Sequence, residues 1–203
     1  MNSYTLTIII LFVFLLLYII GSSIVYFQQE KLILNADSLE DDFEFQFEYP
    51  FEEINLEVRK GVKINCLWFK VENSKGVILY HHGKSRNMAD WARFYDDFTR
   101  YGYDFFCYDY RTFGKSKGPL VNEVGFHRDA MFCYKFLTKY YPQEKIIQFG
   151  RSFGTSIATR LAKKVNCPLL ILETPYISMR AMVKRKVPYL PYPIILKLSL
   201  IHI

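Results

Sequence analysis

The pentapeptide Gly150-Arg151-Ser152-Phe153-Gly154 follows a short apolar run and opens a stretch with helical patterning. In that context a serine between two glycines can serve as a nucleophile toward an acyl carbonyl. The steric logic is local. A strand that turns sharply into a helix holds the serine in a strained backbone conformation, and neighbours without a Cβ let strand and helix pass closely. The Ser152 hydroxyl then stands at a helix amino terminus, where peptide dipoles favour developing negative charge. The plain alternative is a glycine-rich turn with a capping serine.

Charge that develops on the former carbonyl oxygen needs backbone N–H donors, each contributing about 3–4 kcal/mol to the transition state. His82-Gly83 ends an earlier apolar run, and the loop after such a strand can supply one donor. The amides of Lys84 and Phe153 are the candidate pair. His81 and His82 themselves read as structural, pinning that loop through hydrogen bonds. A second turn-rich loop, Tyr108 to Gly118, sets Asp109 and Arg111 where they can tie loop backbone together near the serine turn.

These residues need a scaffold, and the hydropathy pattern supplies one. Val77 to His82, Asp104 to Tyr108, Lys145 to Phe149 and Leu169 to Glu173 are short apolar runs of the doubly buried, parallel kind. Helical stretches lie between them at Met88 to Tyr101, Val121 to Tyr141 and Ser152 to Val165. Ahead of these, Phe43 to Tyr49 and Ile54 to Arg59 alternate apolar and polar residues like half-buried antiparallel strands, with Lys63 to Lys70 returning across a Lys60-Gly61 turn. Strand and helix in alternation predict an α/β fold, a mostly parallel sheet with helices on both faces.

Length and composition fit that picture. The chain has 203 residues, 51% hydrophobic and 23% charged, which allows one domain with an appendage and excludes a disordered or collagen-like chain. Net charge is +6, but ten acids and three bases fall between Glu30 and Lys60, against ten acids and 23 bases from Gly61 onward. An acidic neck before a basic body is not the even or striped pattern of a nucleic-acid binder. Cys66, Cys107, Cys133 and Cys167 form no C-x-x-C pair, so no metal site and no disulfide framework is expected, and a reducing compartment suits them. No cofactor is implied.

No charged residue occurs from Asn2 to Gln29, and Ile8 to Ile20 is unbroken apolar sequence. A helix over Tyr4 to Phe27 would be about 36 Å long, more than the roughly 30 Å of bilayer hydrocarbon. Residues 1–29 are therefore predicted to be a single-pass transmembrane anchor, and 30–203 the domain. A cleaved signal peptide competes, with Gly21-Ser22-Ser23 as the small residues, but no Lys or Arg precedes the apolar run and the run is long for that purpose. Lys31 alone flanks the span, and the orientation adopted puts the body on the cytoplasmic side.

Together, the anchor, Phe27 to Leu34, Leu79 to Gly83, the D-Y-R-x-x-G-x-S-x-G loop from Asp109, the G-R-S-F-G turn and Leu172-Glu173-Thr174-Pro175 resemble the membrane-anchored serine α/β-hydrolases related to the serine aminopeptidases. The resemblance runs from about Phe27 to about Lys197. It implies an α/β-hydrolase fold, Ser152 as nucleophile, and hydrolysis of an ester, thioester or amide in a small acyl or peptide substrate. Thr112 stands where the family usually has glycine, which would stiffen that loop. The basic cluster Arg180, Lys184, Arg185 and Lys186 corresponds to the lid region of such enzymes and suits anionic headgroups of the bilayer.

The departure from the family is at the end. Triad partners in this fold follow the serine in the order acid, then histidine. After Leu169 to Glu173 the chain runs only to Ile203, so two strand–helix units of about 30 residues each are expected to be missing. Leu198 to Ile203 does not match the family, and the histidine that follows Ser152 is His202, on a tail with no packing to hold it. Glu173 reads as a loop starter and His127 as the start of a helix. The expectation is thus a truncated hydrolase domain lacking its terminal strands and the triad Asp and His. Whether such a chain is an enzyme turns on that gap, and the alternative is an inert membrane-anchored protein of hydrolase ancestry that binds a lipid or partner.

Overall fold

The computed structural model describes residues 2–119, 123–186, 188 and 189. The first element, α1, runs Ser3–Leu34. Its segment Ser3–Gln28 is long and apolar enough to cross a membrane, and its large side chains lie exposed, Phe12 and Phe14 among them. Apolar surface on all sides of a helix is stable in lipid rather than in water. The helix continues past the expected end at Phe27 and stops where Asn35 turns left-handed at φ 47°.

The body is one six-stranded sheet: β1 Glu52–Arg59, β2 Val62–Phe69, β3 Val77–His81, β4 Asp104–Tyr108, β5 Ile146–Arg151 and β6 Leu170–Glu173. Their order is β1-β2-β4-β3-β5-β6. The β1–β2 and β2–β4 pairs are antiparallel, and β4, β3, β5 and β6 run parallel. Gly61, at φ 77°, makes the β1–β2 turn. Every residue of β3 and β4 is buried, as their unbroken apolar sequences require. Successive residues nonetheless enter different cores, because side chains alternate across a sheet. Val77, Leu79, Phe106 and Tyr108 face one side, whereas Ile78, Tyr80, Phe105 and Cys107 face the other.

The first side is covered by α4 (Val124–Leu137) and α5 (Gly154–Ala162), with Met179 of α6 (Met179–Lys186) packed on it. The second is covered by the segment after β3, which the pattern predicts as one helix over Met88 to Tyr101. It is instead three short pieces: α2 (Met88–Trp91), a 3₁₀ turn (Ala92–Tyr95) and α3 (Asp96–Thr99). Phe43 to Tyr49 is also different from expectation. It forms no strand, but Phe45 is buried and Phe47 packs on Phe51, Phe69 and Tyr95, so its alternation seats rings without a hydrogen-bonded ladder. Cys66, Cys107 and Cys133 are buried free thiols, and Cys167 is partly exposed.

The end of α1 is tied to the body. Leu34 is buried, its carbonyl accepts the Ser85 amide at 2.7 Å, and the Asn35 carbonyl accepts the Arg86 amide at 3.2 Å. Further on, Gly114 donates to the Asp37 carbonyl at 2.8 Å and Leu39 to the Gly114 carbonyl at 2.9 Å. The tail of the apolar helix therefore braces the loops that follow β3 and β4.

Candidate active site

Ser152 lies between β5 and α5 with φ 49°, a left-handed conformation that costs a non-glycine residue roughly 1–2 kcal/mol. The surroundings enforce it. The Ser152 amide donates to the Glu173 carbonyl at 2.9 Å, and its own carbonyl accepts the Thr155 amide at 3.0 Å. A Cβ at Gly150 would stand 2.7 Å from the Thr155 Cα and 2.8 Å from the Ala158 Cβ. Such a group at Gly154 would overlap the His81 carbonyl. Both glycines are thus required where strand and helix cross.

His81 and His82 are fully buried at the end of β3. His81 Nδ1 lies 2.7 Å from the Tyr108 hydroxyl and Nε2 2.9 Å from Gln148 Oε1. The Gln148 oxygen only accepts, so Nε2 carries the proton and Nδ1 accepts from Tyr108. Burial is the main reason the His81 pKa falls to about 4, with His82 adding to it and Gln148 opposing. His82 Nδ1 donates to the Gly83 carbonyl at 2.7 Å, the His82 carbonyl accepts the Tyr110 hydroxyl at 2.8 Å, and His82 Nε2 faces Asp109 Oδ1 at 3.4 Å. That last gap is long for a hydrogen bond. Burial raises the Asp109 carboxyl above its usual range, opposed by His82 and the Met88 amide.

Gly83 passes under the Trp91 ring, where a Cβ would come within 2.9 Å. Trp91 Nε1 donates to the Ser85 carbonyl at 2.9 Å, and Ser85 and Arg86 are both left-handed, at φ 79° and 59°. Arg151 lies 4.2 Å over Phe94 and 5.7 Å over Trp91, with Glu173 at 3.1 Å. One stacked chain of side chains thus runs from the Ser152 turn to the loop bearing Lys84. Among the described residues neither the Lys84 nor the Phe153 amide donates a hydrogen bond, and no side chain bonds the Ser152 hydroxyl. The two turns are distant in sequence, but each follows one of the paired parallel strands β3 and β5.

Arg111 and Asp129 form a buried bidentate pair at 2.8 and 2.5 Å, and Arg111 also donates to the Pro119 carbonyl at 3.2 Å. This joins the loop after β4 to α4. Thr112 in the same loop is left-handed at φ 77°. Among the described histidines none reaches Ser152: His81 and His82 are held as above, and His127 sits on α4 with both ring nitrogens unpartnered. His202 and the tail from residue 190 lie outside the described residues. Among the described residues no group of three or more His, Cys, Asp or Glu could hold a metal ion.

The sequence is similar to "Uncharacterized membrane protein YNL320W" of Saccharomyces cerevisiae, 26% identical over 156 residues that make up 75% of this chain and 53% of that protein. It is 28% identical to "Alpha/beta hydrolase domain-containing protein 17C" of Xenopus tropicalis over 63% of this chain and 42% of that one. The chain spans about half the length of the curated relatives it matches. The fold is similar to that of the Pyrococcus furiosus esterase Pf2001, with a TM-score of 0.60 at 22% identity over 76% of this chain and 60% of the other. The model of one family, described as "Serine aminopeptidase, S33", matches residues 72–200. From its sheet order, its serine turn and this match, the chain belongs to the serine aminopeptidase S33 family of α/β-hydrolases.

Proposed function

We propose that this chain carries the nucleophile and oxyanion half of a membrane-anchored serine hydrolase acting on an ester, thioester or amide. Ser152 attacks the acyl carbonyl, and the amides of Lys84 and Phe153 receive the oxyanion. The observation that carries this reading is the left-handed Ser152 at φ 49°, locked between two glycines that admit no side chain. Backbone strain of this kind is retained where a function uses it. His82, Gly83, Asp109 and Arg111 position the donor loops. The exposed apolar helix α1, with a relative described as a membrane protein, supports anchoring in a bilayer, and the body is assigned to the cytoplasmic side on the flanking base Lys31.

Since no described histidine bonds Ser152, the general base is supplied from outside the described residues. A fluorophosphonate probe tests the nucleophile directly, because it modifies only an activated hydroxyl. In membranes from the native source, labelling is expected at Ser152 and is lost in Ser152→Ala. An unlabelled serine there favours the other reading, an inert protein of hydrolase ancestry that binds a lipid or partner.

A further inference from the structure

On the sheet face covered by α4, a cavity of about 390 Å³ opens between β1, α4 and the end of α5. Helix periodicity builds one wall: Val124, His127, Arg128, Met131 and Lys135 recur at three- and four-residue steps on α4. Arg59 enters from β1, and Arg160 and Lys164 from α5 and the turn after it. Five cations therefore share one cavity. Glu123 lies 3.5 Å from Arg160, whereas Arg59, Arg128, Lys135 and Lys164 form no ion pair among the described residues. Asp129 of the same helix feels Arg59, but its carboxylate is taken by Arg111.

Solvated surface cations alone would call for no ligand. His127 makes the difference: it lines the same cavity, and both its ring nitrogens are shielded from solvent and without a hydrogen-bond partner. A buried polar group left so costs about 1–3 kcal/mol. Burial first, then Arg160 and Lys164, lower its pKa to about 4, so at neutral pH the ring offers one donor and one acceptor. A singly protonated phosphate presents the matching acceptor and donor, and guanidinium forks fit its oxygens. Val58, Met131 and Phe132 line the remainder, and the volume falls in the range of about 300–1,000 Å³ usual for small-molecule sites.

We propose that this cavity binds a phosphomonoester joined to an apolar body, its phosphate held by Arg128, Arg160, Lys164 and His127 and its apolar part against Met131 and Phe132. A soluble phosphate ester and a phospholipid headgroup share that chemistry. The site uses none of the residues assigned to hydrolysis, so it stands or falls independently of Ser152.

The test uses the full chain in phosphatidylcholine nanodiscs, with the His127 ring followed by NMR. Hexyl phosphate should shift the His127 signals saturably and raise its titration midpoint above about 4. Inorganic phosphate should need about tenfold more for the same shift, lacking the apolar part. The exposed pair Arg160→Gln with Lys164→Gln should weaken binding about tenfold or more, with the remaining spectrum unchanged. Discs containing phosphatidic acid identify the source: a shifted His127 signal that no longer responds to hexyl phosphate assigns a lipid headgroup, and an unchanged response assigns a soluble ester. No shift with either probe, a shift reproduced by sodium chloride at equal ionic strength, or equal affinity in the double variant would overturn the proposal.

Discussion

Gly154 meets the carbonyl of His81 so closely that a methyl group at residue 154 would overlap it, and would lie 2.7 Å from the His82 carbonyl as well. The serine turn and the loop after β3 are in backbone contact. Gly154→Ala should therefore lower stability by about 3 kcal/mol, the upper end for forced overpacking, and the melting temperature by roughly 6–12 °C at about 2–4 °C per kcal/mol. Gly21→Ala is the control, since nothing lies within 4 Å of a Cβ there. Equal melting of both variants in a thermal shift assay would mean that the turn is not so packed.

Thr112 holds φ 77° on an exposed loop, a conformation that is a genuine outlier for a β-branched residue. Relieving about 1–2 kcal/mol of strain outweighs the entropy that glycine loses on folding, about 0.5–1 kcal/mol. Thr112→Gly is expected to stabilise the chain by up to about 1 kcal/mol, whereas Thr112→Val keeps the strain and gains nothing. A destabilised Thr112→Gly would contradict this.

His81 and His127 both titrate near 4 in the folded chain because burial disfavours their charged forms. Unfolded, each takes up a proton near 6.5. As pH falls through 6.5 the unfolded state gains protons first, so stability drops toward pH 4, while above pH 7 neither ring contributes. Removing one ring as His127→Gln should shrink the stability lost between pH 7 and pH 5 by about 1–2 kcal/mol. Denaturant unfolding in detergent, without phosphate, measures it, and an identical loss in both proteins would show that His127 is not shielded.

The apolar surface of α1 predicts that the full-length protein sediments with membranes and resists extraction by high salt or alkaline pH, since a span rather than surface charge holds it. Release by salt, or a mature amino terminus near Ser23, would point to a peripheral or cleaved form.

Much of this architecture is legible in the sequence because its signals are steric or periodic. Val77 to His82 and Asp104 to Tyr108 read as doubly buried strands and are so, and the two glycines beside Ser152 announce a close crossing. Phe43 to Tyr49 misleads because alternation records where rings point, and the rings of Phe45 and Phe47 are seated by packing alone. Met88 to Tyr101 breaks into short turns because Trp91 is drawn onto Gly83 and Ser85. The cationic cavity is invisible in sequence: Arg59, Arg128 and Arg160 are distant in the chain and meet only through the β1, α4 and α5 packing.

The central claim is that Ser152 attacks the substrate. Turnover of a nitrophenyl ester, measured on a version of the chain extended with the downstream half of a close relative, tests it most directly. Hydrolysis abolished by Ser152→Ala is the expected result, and hydrolysis that survives Ser152→Ala would remove Ser152 from the reaction.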